Sequence, residues 1–131
     1  MPDPERMPDP KVMEAAVHEY VAAFSAGSAD RVAALFADNA TVEDPVGSPR
    51  HEGLAAIRAF YEGSMATGAK LTLEGPVRVV ADYAVFAFSV HLEWEGGAKR
   101  IDVIDSFRFD EAGKVVEMRA FWGPENMHGF T

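Results

Sequence analysis

The chain has 131 residues, 48% of them hydrophobic, which predicts one globular domain with a core large enough to enclose a pocket. The absence of cysteine excludes disulfides, thiolate metal sites and cysteine nucleophiles. The net charge of −9, with Lys and Arg scattered along the chain, argues against a nucleic-acid partner, and no apolar run is long enough to predict a membrane span.

The N-terminal sequence Met1-Pro2-Asp3-Pro4 is repeated as Met7-Pro8-Asp9-Pro10. So many prolines predict a mobile leader over residues 1–9, followed by a domain over 10–126 and a short tail over 127–131. The N-terminus is polar and lacks the basic start and apolar stretch of a secretory signal. We therefore expect a cytoplasmic protein.

Helical spacing of apolar residues dominates the first half of the domain. Asp9 and Pro10 form an N-cap and first-turn pair for a helix of roughly 16 residues, with Tyr20 on its buried stripe. A second, short helix is predicted to end near Asp38-Asn39, and a third to run from about Leu54 to Met65. The second carries Val32, Leu35 and Phe36, and the third presents Ile57, Phe60 and Tyr61.

From Lys70 onward the hydrophobic pattern alternates with a period of two, which is typical of a sheet with one buried face. The predicted strands are 70–80, 83–94, 99–109 and 114–122. The expected fold class is α+β, with three N-terminal helices packed on a strongly curved, mostly antiparallel sheet. Such a cone can hold an apolar ligand.

Alternation along these strands predicts which side chains face the core. Strand 83–94 directs Phe86, Phe88, Val90, Leu92 and Trp94 to one face, with His91 on the other. Strand 114–122 directs Val116, Met118, Ala120 and Trp122 to one face and Val115, Glu117, Arg119 and Phe121 to the other. In strand 99–109 the apolar face consists of Ile101, Val103, Phe107 and Phe109, with Asp105 in its middle.

A carboxyl group in apolar surroundings either finds hydrogen-bond donors or raises its pKa and stays protonated. Asp105 is therefore either a structural residue, satisfied by an Arg or by backbone N–H groups, or a neutral acid able to donate a hydrogen bond. Asp44 shares a face with Val42, and Pro45 holds it in an extended conformation. Asp-Pro is also a common turn opener, and Tyr20 taken alone is equally consistent with a core tyrosine.

Two motifs, Thr41-Val42-Glu43-Asp44-Pro45 and Asp102-Val103-Ile104-Asp105, strongly resemble bacterial ketosteroid isomerases. The likeness extends from the first helix to about Trp122. Further matching stretches are Phe60-Tyr61, Gly75-Pro76-Val77-Arg78, Arg108-Phe109-Asp110-Glu111 and Ala120-Phe121-Trp122. The wider superfamily, called NTF2-like or SnoaL-like, includes cyclases, dehydratases and non-catalytic proteins, so the fold alone does not give the function.

The resemblance implies a steroid Δ5-isomerase in which Asp44 moves a proton from C4 to C6. Tyr20 and Asp105 would donate hydrogen bonds to the dienolate oxygen, and Tyr61 would hydrogen-bond Tyr20. Phe36 stands where some members carry a third tyrosine of this network. The expected lining of the steroid slot is Phe86, Phe88, Val103, Met118 and Trp122.

The resemblance also implies a homodimer packed through the outer face of the sheet, where Val115, Phe121 and His91 are expected. No cofactor is expected, because the reaction is redox neutral and no Gly-rich phosphate loop is present. No metal is expected either, because His18, His51, His91 and His128 lack ligand-like spacing. The alternatives are a non-catalytic steroid-binding protein and a dehydratase or cyclase of the same fold, the dehydratase with a histidine base such as His91.

Overall fold

The first helix follows the prediction from its capping residues. The computed structural model describes residues 8–130, so most of the predicted leader lies outside the described residues. Helix α1 spans Pro10–Ser25, and the Asp9 carboxylate accepts a hydrogen bond from the Lys11 N–H at 2.8 Å. This cap satisfies one of the free N–H groups of the first turn. The buried face of α1 carries Tyr20 into the interior.

The second helix is shorter than predicted, while the third matches its prediction. Helix α2 spans Ala29–Ala33, and Phe36 begins strand β1, Phe36–Glu43. The Leu35 carbonyl accepts a hydrogen bond from the Val115 N–H at 2.8 Å, so pairing with a distant strand ends the helix despite the apolar spacing. Helix α3 spans Leu54–Met65.

The remaining strands form one curved sheet against which the helices pack. They are β2 (His51–Glu52), β3 (Lys70–Leu73), β4 (Arg78–Val80), β5 (Tyr83–Trp94), β6 (Gly97–Phe109), β7 (Val115–Phe121) and β8 (Met127–His128). The described residues give the order β2-β1-β7-β6-β5-β3, with β4 also paired to β5 and β8 to β6. The β1–β7 pair is parallel and the other pairs are antiparallel, which confirms the α+β prediction.

One strand prediction requires correction. The predicted strand 70–80 is interrupted between β3 and β4, where Gly75 has a φ of 99° and Pro76 has no N–H to donate. In the segment expected to be a tail, β8 pairs with Arg100 and Ile101 of β6. Backbone pairing therefore holds residues 127–128 against β6.

A bulge at the start of β7 changes its side-chain alternation. Phe109 pairs with Val115 and Arg108 with Glu117, which leaves Val116 as an extra residue between the two pairs. Val115 is consequently 0% exposed and belongs to the core. Its predicted place on the outer face of the sheet is wrong, because simple alternation does not hold across a bulge.

The core lies between the helices and the concave face of the sheet, and it includes Val17, Ile57, Phe107 and Met118. Over residues 8–130, no helix is both long and apolar enough to cross a membrane.

Candidate active site

A cavity of about 250 Å³ lies between α1, α3 and the concave face of the sheet, and it is partly open to solvent. Its wall is mainly apolar, with two tyrosines and one carboxylate at one end. The lining residues are Tyr20, Phe24, Asp44, Phe60, Tyr61, Ser64, Thr67, Ala69, Leu71, Phe88, Val90, Leu92, Ile101, Val103 and Trp122. An apolar cavity with few polar groups is the usual form of a small-molecule site.

Two tyrosine hydroxyl groups meet at the inner end of this cavity. The hydroxyl oxygens of Tyr20 and Tyr61 lie 3.0 Å apart, and the Tyr20 ring packs edge-on against Phe107 with centroids 5.1 Å apart. Burial raises the pKa of Tyr20 well above its ordinary value, and the nearby Tyr61 and Asp105 add to this effect. Burial also raises the pKa of Tyr61. Both phenols therefore stay protonated and can donate hydrogen bonds.

Asp105 is 1% exposed in the middle of the concave face of β6. Within residues 8–130, neither of its carboxyl oxygens has a hydrogen-bond partner. Burial raises its pKa well above the ordinary value, and the charge of Asp44 contributes further. Of the alternatives left open by the sequence, this geometry favours the neutral acid. Because buried polar groups are normally satisfied, the orphaned carboxyl points to a ligand atom as its partner.

Asp44 follows the last residue of β1, and its peptide bond to Pro45 is cis. The Trp122 indole N–H donates a hydrogen bond to its Oδ1 at 2.7 Å. Burial raises the pKa of Asp44, whereas the Trp122 hydrogen bond and the charge of His51 act in the opposite direction. The described residues give Oδ2 no hydrogen bond, so this oxygen is free to accept a proton.

The structure places Asp44, Tyr20 and Tyr61 on the cavity wall, whereas Asp105 is buried on the concave face of β6 and does not border the cavity. Asp105 pairs with Phe86 of β5, whose ring lies 6.2 Å from that of Tyr20, so the carboxyl lies in the neighbourhood of this tyrosine. Phe36 is buried, and its ring lies 6.0 Å from that of Tyr61. A ring without a hydroxyl therefore stands where some members of the resembling family carry a third tyrosine.

Of the residues predicted to line the steroid slot, Phe88, Val103 and Trp122 border the cavity. Phe86 and Met118 do not border it and belong to the core. Phe86 is covered by Phe88, stacked at 5.5 Å, and Met118 pairs with Phe107 and Val42 on neighbouring strands. Alternation predicted the face on which these residues lie but not their depth below the cavity.

Several lining residues were missed, although helical spacing pointed to some of them. Phe24 lies one turn beyond Tyr20, and Ser64 one turn beyond Tyr61, so each shares a face with a predicted site residue. The hydrogen bond from Trp122 to Asp44 joins residues 78 positions apart, and nothing in the local sequence predicts it.

His91 lies on the convex side of the sheet, away from the cavity, where its Nε2 is 2.7 Å from the Ser89 hydroxyl oxygen. The part of the chain described here contains no group of three or more His, Asp or Glu side chains suited to a metal ion.

Comparison with known proteins gives two concordant results. The family model of the SnoaL-like domain matches residues 17–118. A protein named steroid Delta-isomerase from Nocardioides simplex is 43% identical over 116 residues, covering 88% of this chain and 93% of that protein. The chain belongs to the SnoaL-like family, in its ketosteroid isomerase group. Membership of this group makes it an isomerase.

A solved structure shows how widely the SnoaL-like fold is used. SalBIII, an epoxide hydrolase/cyclase-like enzyme with a role in pyran ring formation in the polyether salinomycin, superposes with a TM-score of 0.84 at 26% identity. The match covers 91% of this SnoaL-like isomerase and 96% of SalBIII. A shared cone therefore accommodates different reactions, and the side chains in the cavity must specify which one occurs.

Proposed function

We propose that the protein converts 3-oxo-Δ5 steroids to 3-oxo-Δ4 steroids, with Asp44 as the proton-transfer base and Tyr20 and Asp105 as hydrogen-bond donors. The observation that carries the proposal is the placement of Asp44 and Tyr20 on the wall of one apolar cavity, together with an unpartnered Asp105 carboxyl buried on the concave face of β6. The name of the Nocardioides simplex relative supports the same substrate class.

The cavity suits the proposed substrate. A steroid of this class is an uncharged hydrocarbon plate with a carbonyl at one end, so it requires apolar walls and donors grouped at one end. Phe88, Val103 and Leu71 supply such walls, while the hydroxyl of Tyr20 lies at the inner end. Burial of the hydrocarbon would supply most of the binding free energy.

The Asp44 carboxylate is proposed to remove a proton from C4. The C4–H electron pair forms the C3–C4 double bond, the carbonyl π electrons move to oxygen, and a dienolate results. Asp44 then returns the same proton to C6, so that the remaining double bond becomes conjugated with the re-formed carbonyl. The Trp122 hydrogen bond to Oδ1 fixes the carboxylate and leaves Oδ2 for the transfer. Atoms and electrons balance, and no cofactor is needed.

Tyr20 and Asp105 are proposed to stabilise the negative charge that develops on the dienolate oxygen. Their raised pKa values keep both protonated, and the Asp105 carboxyl is otherwise unpartnered within residues 8–130. Ketosteroid isomerase is itself the standard example of an aspartic acid held neutral for this purpose, so the assignment follows its family group. Donors fixed before the reaction stabilise the transition state without reorganisation.

The test is the growth of conjugated-enone absorbance when purified protein is mixed with 5-androstene-3,17-dione. We expect rapid conversion by the wild type and a loss of about 10²–10⁴ in kcat for Asp44→Asn, the range typical of a lost general base. Asp38→Asn makes the same change at an exposed position of β1 and should leave the rate unchanged. A folded wild type that binds the steroid without converting it would overturn the proposal in favour of a binding protein.

We also propose a homodimer formed through the convex face of the sheet. Ile104 and Phe121 are cross-strand neighbours there and are 48% and 44% exposed, which is unusual for large apolar side chains. Sedimentation equilibrium should give twice the chain mass, and Ile104→Lys should lower the association constant. A wild type that sediments as a monomer would refute this assembly.

A further inference from the structure

The cavity has a second set of polar groups, at the end remote from Tyr20. Ser64 and Thr67 line it there, with Ser64 one helical turn beyond Tyr61 toward the C-terminal end of α3. Leu71, which follows this segment, pairs with Val90 of β5, whereas Asp105 pairs with Phe86. Four residue steps along β5 separate these two levels, about 13 Å, which approaches the length of a four-ring skeleton.

Both hydroxyl protons at this remote end are already engaged. The Ser64 hydroxyl donates to the Phe60 carbonyl at 3.1 Å, and the Thr67 hydroxyl donates to the Ser64 carbonyl at 2.7 Å. The Thr67 oxygen also accepts from the Ala69 N–H at 3.3 Å. A hydroxyl group has one proton and two lone pairs, so Ser64 and Thr67 retain mainly acceptor capacity toward the cavity.

We propose that Ser64 and Thr67 determine specificity at the remote end by favouring a steroid that carries a hydroxyl group there over one that carries a ketone. A hydroxyl group can donate to their free lone pairs without disturbing any existing bond. A ketone can only accept, so Ser64 or Thr67 would have to give up its bond to a backbone carbonyl. This inference rests on the proposed function and assigns a preferred substrate class to the same site.

The surroundings limit the size of the expected preference. Phe24, Leu71 and Leu92 also line the cavity and offer neither donors nor acceptors. Ser64 is half-buried and Thr67 is exposed, so water remains an alternative partner for a steroid group beside them. The two side-chain hydroxyls therefore produce a modest preference in competition with water.

The test measures binding of two products of the proposed reaction that differ at one position, testosterone with a 17β-hydroxyl group and 4-androstene-3,17-dione with a 17-ketone. One additional, partly solvated hydrogen bond predicts that the wild type binds testosterone about two- to fivefold more tightly. In Ser64→Ala/Thr67→Val the ratio of the two dissociation constants should fall to about one. Each single variant should show an intermediate ratio, and Ser64→Ala keeps a good helix former in α3.

Matched controls make the same chemical changes outside the cavity. Ser106→Ala lies on β6 and Thr72→Val on β3, and neither residue lines the cavity, so their ratios should equal that of the wild type. Steady-state rates with the corresponding 3-oxo-Δ5 substrates give a second readout. The double variant should raise KM for the 17β-hydroxy substrate and leave kcat unchanged, because the reacting carbons lie at the other end of the cavity.

The outcomes separate the two proposals. Equal affinities in the wild type, or a preference that persists in the folded double variant, would overturn the role of Ser64 and Thr67 while leaving the isomerase proposal intact. Failure of the wild type to bind either steroid would instead overturn the proposed function, and with it this inference.

Discussion

Asp105 and Asp102 lie on the same strand, β6, but in opposite surroundings. Asp105 is 1% exposed, and burial raises its pKa well above the ordinary value. The Asp102 side chain is 46% exposed and accepts hydrogen bonds from Arg100 at 3.0 Å and from His128, whose Nε2 also lies at 3.0 Å, and these partners lower its pKa. The same residue type therefore has a raised pKa on one face of the sheet and is an ion-paired carboxylate with a lowered pKa on the other.

The convex and concave faces of the sheet also differ in how their polar side chains find hydrogen-bond partners. On the convex face, Glu43 is paired with Arg119 at 3.1 Å, and Ser89 donates to Glu74 at 2.7 Å. On the concave face, the Asp105 carboxyl has no partner among residues 8–130. The polar groups named on the convex face are satisfied by protein atoms, whereas the unsatisfied Asp105 carboxyl is consistent with the hydrogen bond to a ligand proposed above.

The largest expected effect is on kcat. Comparing Asp105→Ala with Asp102→Ala tests whether the two aspartates differ in catalysis as they differ in surroundings. If Asp105 donates to the dienolate, its loss should lower kcat by about 10²–10³, the usual cost of one oxyanion donor. Asp102→Ala should change kcat little, because Asp102 lies on the convex face. Rates are compared by enone absorbance at saturating steroid, and equal kcat values in the two variants would remove the contrast.

Replacing Asp105 should lower activity but raise the free energy of unfolding. Asp105→Leu replaces an unpartnered buried carboxyl with an apolar side chain, which should raise the free energy of unfolding by about 1–3 kcal/mol at neutral pH. The raised pKa means that the folded state binds the proton more tightly than the unfolded state does. The contribution of Asp105 to wild-type stability is thus present at low pH and is lost as pH rises from the ordinary carboxyl pKa through the raised one.

Urea unfolding at a series of pH values measures this effect. The decline in unfolding free energy with rising pH that is assigned to Asp105 should be absent in Asp105→Leu. For Asp102 the sign reverses, since a lowered pKa gives stability that is lost as pH falls. A less stable Asp105→Leu variant at neutral pH would show that the carboxyl makes favourable interactions in the folded protein.

The smallest expected effect concerns Asp44, whose environment combines features of both faces. It is half-buried, which raises its pKa, but it receives a hydrogen bond from Trp122 that partly offsets this rise. Trp122→Phe removes this donor, so the pKa of Asp44 should rise further. If Asp44 is the base, it must be ionised to act, so the acid limb of the pH profile of kcat/KM should move to higher pH.

Trp94→Phe makes the same substitution at an exposed position of β5 and should leave the pH profile unchanged. An acid limb that stays in place in Trp122→Phe would indicate that the indole hydrogen bond does not influence the base.

Local patterns in the sequence predicted α1 and α3 and placed Asp105 on the concave face, because caps and alternation depend on neighbouring residues. They failed where distant segments decide the structure. Phe36 continues the helical spacing of α2, but pairing with β7 makes it the first residue of β1. At Val115, a bulge in β7 reverses the expected orientation.

The candidate site shows the same division. Its polar residues were predicted from motifs, whereas the depth of Phe86 and Met118 depends on how closely rings from other elements cover them. The remote end of the cavity escaped prediction because Ser64 and Thr67 resemble ordinary residues at the end of a helix. Their role depends on where their hydroxyl protons point.

The parallel pairing of β1 with β7 bears on when the protein becomes active during its synthesis. Asp44 follows β1 in the first half of the chain, but Trp122, which fixes it, follows β7 and is made 78 residues later. Non-local pairings of this kind form late, because a long loop must first be closed. A nascent chain can thus carry Tyr20, Asp44 and Asp105 before the proposed base is oriented, and the proposed activity would require β7 to have paired with β1.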